Sequence, residues 1–146
     1  MPPKKPLPLD DTYLQIWKIE QEHSRTRWTV TTFFLSISFA ILGLSFDARD
    51  NPAYLWGFSL PDLQRLIGLF VYWFGYFLFA QFNRYSNFLR SRLREMETKK
   101  QVSFTLQSDS RDFMYPRWRS AFSASRLLFY FGILYTISVV LLLRAS

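Results

Sequence analysis

The sequence predicts an all-α integral membrane protein: three transmembrane helices, with cytoplasmic helical extensions. Three observations carry that reading. Charged residues make up 20% of the 146 positions, below the roughly 25% of a soluble domain, and they are gathered into a few segments. Three blocks close to membrane length carry no charge. Aromatic residues are abundant, with 16 Phe, 8 Tyr and 5 Trp, as suits a chain whose solvent is lipid.

Residues 1–11 form a Pro-rich cytoplasmic tail: Met1–Leu9 (MPPKKPLPL) holds four prolines, which cannot all enter a helix. Residues 12–27 form a juxtamembrane helix. Thr12 followed by Gln15 matches a capping box, Asp10 and Asp11 suit the positive end of the helix dipole, and Tyr13, Ile16, Trp17 and Glu20 share one face. Residues 28–46 (WTVTTFFLSISFAILGLSF) form the first span, roughly 28 Å long at the helical rise, close to the hydrocarbon thickness. The acidic residues before it and the lack of a small-residue cleavage pattern after it favour a retained anchor over a cleaved signal.

Residues 47–65 form a short outer loop of turn-forming residues, with Tyr54 and Trp56 suited to the headgroup layer. Residues 66–83 form the second span, roughly 27 Å, flanked by Arg65 and Arg84, both long enough to snorkel. Residues 84–119 form a basic cytoplasmic helix and loop. Phe82, Tyr85, Leu89, Leu93 and Met96 recur at helical spacing and extend the second helix to about Lys100, Ser103–Leu106 has weak strand character, and Phe113–Arg119 (FMYPRWR) reads as an interfacial anchor. Residues 120–143 form the third span, whose uncharged core Leu127–Leu143 lies between Arg126 and Arg144 and reaches roughly 25 Å.

Orientation follows from the loops. Residues 84–119 carry nine Lys and Arg, whereas 47–62 carry only Arg49. Positive charge stays inside, so the N-terminus and the long loop are cytoplasmic, and three spans put the C-terminus outside.

Chemistry is restricted by what is missing. With no cysteine and one histidine, disulfides, thiolate chemistry and a multi-histidine metal or haem site within one chain are excluded. Glu20 and His23 are three apart, as in di-iron bundles, but no second such step exists, so no metal and no cofactor is expected. No ionisable residue lies inside a span, which argues against ion-coupled transport. No phosphate loop or nucleophile elbow is present, so the chain is not expected to be an enzyme. The basic residues Arg90, Arg92, Arg94, Lys99, Lys100, Arg117 and Arg119, with Trp118, suit lipid headgroups or a protein partner. Nucleic acid is the less favoured partner.

Helix packing is the strongest signal. Ser36, Ala40 and Gly43 in the first span, Gly68 and Gly75 in the second, and Gly132 and Thr136 in the third are small residues at helical spacing, which permit close helix approach in lipid. They serve packing within one chain, packing between subunits, or both. The stretch ending HSRTRWTVTTFFLSISFAILGLSF, followed by the Gly68/Gly75 span and RYSNFLRSRLREMETKK, resembles in layout the SLATT-type membrane effectors of bacterial antiphage systems over residues 12–100, and adds a third span. That resemblance implies an oligomer that disrupts the inner membrane once infection is sensed. Helix packing and topology, with no catalytic signal beside them, lead to the function expected here: a homo-oligomeric inner-membrane protein, a membrane-permeabilising, pore-forming effector of a bacterial defence or stress system. The alternative is a non-catalytic accessory or assembly subunit of a larger membrane complex.

Overall fold

A computed structural model describes residues 9–47, 54–55, 57–114 and 123–145. The elements in chain order are α1 (Asp10–Asp47), β1 (Tyr54–Leu55), β2 (Phe58–Ser59), α2 (Leu60–Thr98), α3 (Leu106–Met114) and α4 (Ala124–Ala145). Helices α1, α2 and α4 are each long and apolar enough to cross a membrane. Only β1 and β2 depart from the helical class among the described residues, pairing antiparallel with Leu55 opposite Phe58. Gly57, at φ +84°, supplies the left-handed conformation that such a tight connection requires.

Several boundaries differ from the sequence reading. Helix α1 starts at Asp10, with the Tyr13 amide donating to the Leu9 carbonyl, so Thr12 lies within the first turn and is not a cap. The loop at 47–65 ends early because Ser59 caps α2: its hydroxyl accepts the Asp62 amide at 3.3 Å and donates to the Asp62 carboxylate at 2.6 Å. No strand forms at 103–106; Leu106 opens α3. Helix α4 begins at Ala124, so the described third helix takes in Ser125 as well as the uncharged core.

Burial follows one rule in each long helix. Along α2 the buried residues are Pro61, Arg65, Gly68, Tyr72, Gly75, Phe79, Ser86, Leu89 and Leu93, with half-buried Phe82 and Met96 completing the series. The steps alternate between four and three, the coiled-coil period of about 3.5 residues. On α1 the same period buries Tyr13, Glu20 and Arg27, then Thr31, Ser38 and Ser45. On α4 it buries Gly132, Tyr135 and Val139.

The chain divides into two compact units, one of Met1–Arg27 with Gln81–Ser123 and the other of Trp28–Ala80 with Ala124–Ser146. The first has a small apolar core of Tyr13, Leu93 and Val102, with Ile16, Trp17, Met96 and Phe104 packed on it. The second has a core of Tyr72, Tyr135 and Val139, ringed by Leu35, Leu42, Leu69, Trp73 and Leu143. Its outer surface is apolar: Phe33, Phe70, Phe77, Leu134 and Leu141 are all more than half exposed.

Candidate functional site

In the second unit the small residues separate into two groups. A Cβ built on Gly75 would lie 2.6 Å from the Phe34 Cβ, and one on Gly132 would lie 2.7 Å from Tyr72 Cε1. At Gly68 it would meet the Tyr135 hydroxyl at 2.9 Å and the Ser38 carbonyl at 3.2 Å. These three glycines are occupied by neighbouring helices of the same chain. Thr136 belongs with them, since its hydroxyl accepts the Trp73 indole N–H at 3.1 Å and donates to the Gly132 carbonyl at 2.7 Å. Ser36, Ala40 and Gly43 are exposed, and a Cβ on Gly43 would meet nothing within 4 Å. The structure therefore places the α1 residues apart from the other four.

The inner stripe of α1 escaped the sequence reading. Thr31, Ser38 and Ser45, seven residues apart, are at most 2% exposed. Ser38 donates to the Gly68 carbonyl at 2.7 Å and lies 3.3 Å from the Tyr135 hydroxyl. The Tyr72 hydroxyl donates to the Leu128 carbonyl at 2.7 Å. These bonds tie α1, α2 and α4 together, a form of attachment that gains value where no water competes. The seven-residue spacing of hydroxyls was the available signal.

Arg65 does not snorkel. It is 2% exposed, paired with Asp62 at 2.8 Å, and donates to the Leu142 carbonyl at 3.3 Å, where it offsets the negative end of the α4 dipole.

In the first unit polar clasps dominate. The Glu97 carboxylate accepts the Tyr13 hydroxyl, the Ser108 hydroxyl, and the amides of Gln107 and Ser108 at 2.8 and 3.0 Å. Those amides belong to the first turn of α3 and have no partner within the helix, so a side chain of α2 caps α3. Burial pushes the Glu97 carboxyl up, but the hydrogen bonds from Ser108, Tyr13 and the two amides outweigh it and leave its pKa below the ordinary 4.5. Burial, and then the carboxylate itself, drive the Tyr13 phenol well above its ordinary range. Asp10 accepts the Ser103 amide and hydroxyl, both at 2.7 Å, and Arg27 donates to the Asn83 side-chain carbonyl at 2.8 Å.

The basic residues singled out from the sequence are not one open surface. Arg90 forms an ion pair at 2.6 Å with Glu20, whose side chain is 1% exposed. Arg92 and Lys99 both pair with Glu95. The Arg94 Nε is buried with no hydrogen-bond partner among the described residues. Lys100, at φ 52°, is the left-handed residue that ends α2: its amide donates to the Glu97 main-chain carbonyl and the Gln101 amide to the Met96 main-chain carbonyl, a Schellman closure. Arg117, Trp118 and Arg119 lie outside the described residues. His23 lies against Phe82 and Tyr85, with ring centroids at 5.0 and 4.8 Å, and no group of three potential metal ligands occurs among the described residues.

Comparison with protein-family models, with curated proteins and with solved structures finds no match to this chain.

Proposed function

We propose that this chain is a non-catalytic, homo-oligomeric protein of the bacterial inner membrane. In this reading α1, α2 and α4 span the bilayer, the N-terminus and the α2–α3 region are cytoplasmic, and association changes membrane permeability. One observation carries the proposal: Ser36, Ala40 and Gly43 stay exposed on α1 while Gly68, Gly75 and Gly132 are occupied within the chain. In lipid, small residues allow backbones to approach closely. This face is thus the one set of singled-out small residues still open to a second copy. Thr32 is exposed beside it, so an assembly built on α1 would carry hydroxyls at its seam, the lining available to a pore whose spans hold no charge. The first unit, fastened by Asp10, Glu20 and Glu97, is a folded cytoplasmic module suited to receive the trigger.

The absence of cysteine makes the test direct. Ser36→Cys or Ala40→Cys should form disulfide-linked dimers in membranes, whereas Phe70→Cys, on an exposed position of α2, should not. Dimers from Phe70→Cys alone would sink the α1 seam. Cross-links only to a different membrane protein would establish the alternative, an accessory subunit of a larger complex.

A further inference from the structure

Exposed aromatic residues on α2 do not stop where its uncharged block stops. The block ends at Asn83 and Arg84 follows, yet Tyr85 and Phe88 are 46% and 55% exposed. They continue a series of exposed residues, Phe70, Phe74, Phe77 and Gln81, at steps of three and four that keep to one face of a helix. Beyond Phe88 the exposed residues of α2 are polar: Ser91, Arg92 and Thr98. The exposed apolar surface of this helix therefore ends at Phe88, one turn past the first charge.

Contacts inside the first unit hold the two rings in place. Tyr85 and Phe88 stack with centroids 6.4 Å apart, and the His23 ring of α1 meets Tyr85 edge-on at 4.8 Å. The Arg92 guanidinium carbon lies 6.0 Å from the Phe88 ring centre. Arg84 is exposed and makes no hydrogen bond or ion pair among the described residues.

Distance along the helix selects what covers this face. At the helical rise Phe88 lies roughly 6 Å beyond Arg84, and the headgroup layer of a bilayer is roughly 5–8 Å deep on each side. A span that ends at Arg84 leaves both rings within that layer. Tyrosine suits it, with an apolar ring and a hydroxyl that reaches water. An arginine stem runs beside apolar surface while its head reaches a phosphate. A protein partner would find only these two rings, with no exposed large apolar residue of α2 beyond them.

We infer that Tyr85 and Phe88 form an interaction surface for the phospholipid headgroup layer, with Arg84 on its phosphates, so that the bilayer contacts α2 as far as Phe88 and does not end at Asn83. His23, packed on Tyr85, brings the adjoining turn of α1 to the same depth. Every phospholipid carries the phosphate, so the contact selects the layer and not a lipid class. This surface presupposes the membrane-spanning part of the proposed function and is independent of self-association.

The absence of cysteine permits single labels on the whole chain in phosphatidylcholine nanodiscs. Bimane on Phe88→Cys should lose most of its emission to lipid carrying a headgroup nitroxide and little to aqueous iodide. Bimane on Thr98→Cys should show the reverse, and bimane on Phe77→Cys should be quenched by lipid with the nitroxide on its acyl chain. Replacing half of the lipid by phosphatidylglycerol should leave the pattern unchanged. Iodide quenching at position 88 equal to that at position 98 would overturn the surface, because water then covers it. A label at 88 that neither quencher reaches would do the same, because protein then covers it, and so would headgroup quenching that appears only with phosphatidylglycerol. Loss of acyl-chain quenching at position 77 would instead overturn the membrane reading itself.

Discussion

Gly43 and Gly75 are the same residue type in equally apolar stretches, yet a Cβ meets open space at one and the Phe34 Cβ at 2.6 Å at the other. Sequence spacing marked both as packing residues and had no means of separating them, because partner helices are chosen by three-dimensional register. The structure separates them by physical cost. Gly75→Ala forces backbone movement, since the atom it strikes is the root of a side chain; overpacking of this kind costs about 1–3 kcal/mol. Gly43→Ala removes a flexible residue from a helix without a clash and should leave stability unchanged or raise it by up to about 1 kcal/mol. Chemical denaturation in detergent, followed by tryptophan fluorescence, checks the pair. Equal losses would mean that Gly43 is packed too. Gly75→Leu and Gly132→Leu should therefore report on the fold, and substitutions at Ala40 and Gly43 on the proposed association.

At the scale of elements, the helices were legible and their attachments were not. Uncharged blocks of membrane length announce candidate spans because charge is costly in lipid, and the spacing of Leu89, Leu93 and Met96 carried α2 beyond its block. The cap on α3 was not legible, since Glu97 reaches it across a turn and Ser103–Leu106 gives no helical signal of its own. Likewise Arg65 reads from sequence as a snorkelling residue, and only the fold brings the Leu142 carbonyl to it.

The clasp around Glu97 makes a prediction in pH. Its carboxyl titrates below 4.5 when folded, so the stability it supplies is complete above that value and is lost as pH falls through the lower folded value. Tyr13 titrates above 10.0 when folded, so its contribution is complete below that pH and is lost as pH rises toward the folded value. Melting of the first unit should therefore plateau between about pH 5 and pH 9 and decline on both sides. Glu97→Gln should lower the plateau and flatten the acid limb, and Tyr13→Phe should cost about 2 kcal/mol, as a hydrogen bond to a charged acceptor does. An acid limb that persists unchanged in Glu97→Gln would place the acid-sensitive group elsewhere.

For the whole molecule, the sequence supplied the class and the three candidate spans. Several polar residues serve as fasteners: Ser38, Thr136, Arg65 and Glu97 each hold one element to another. The repeat of about 3.5 residues in the burial of α1 and α2 was present in the sequence as Thr31, Ser38, Ser45 and as Gly68, Gly75. It was masked by phenylalanine around the helices: Phe33, Phe70 and Phe77 are exposed while Phe79 is buried, so hydrophobicity alone does not mark the inside.

With the inner stripe of α1 committed to its own chain, its outer stripe of Ser36, Ala40 and Gly43 becomes the central element of the proposed assembly. Native mass spectrometry of the intact chain in nanodiscs, wild type against Ala40→Leu, tests this most directly. A defined homo-oligomer for the wild type that falls to a folded monomer in Ala40→Leu is the result predicted here; a wild-type monomer, or an oligomer that Ala40→Leu leaves untouched, would contradict it.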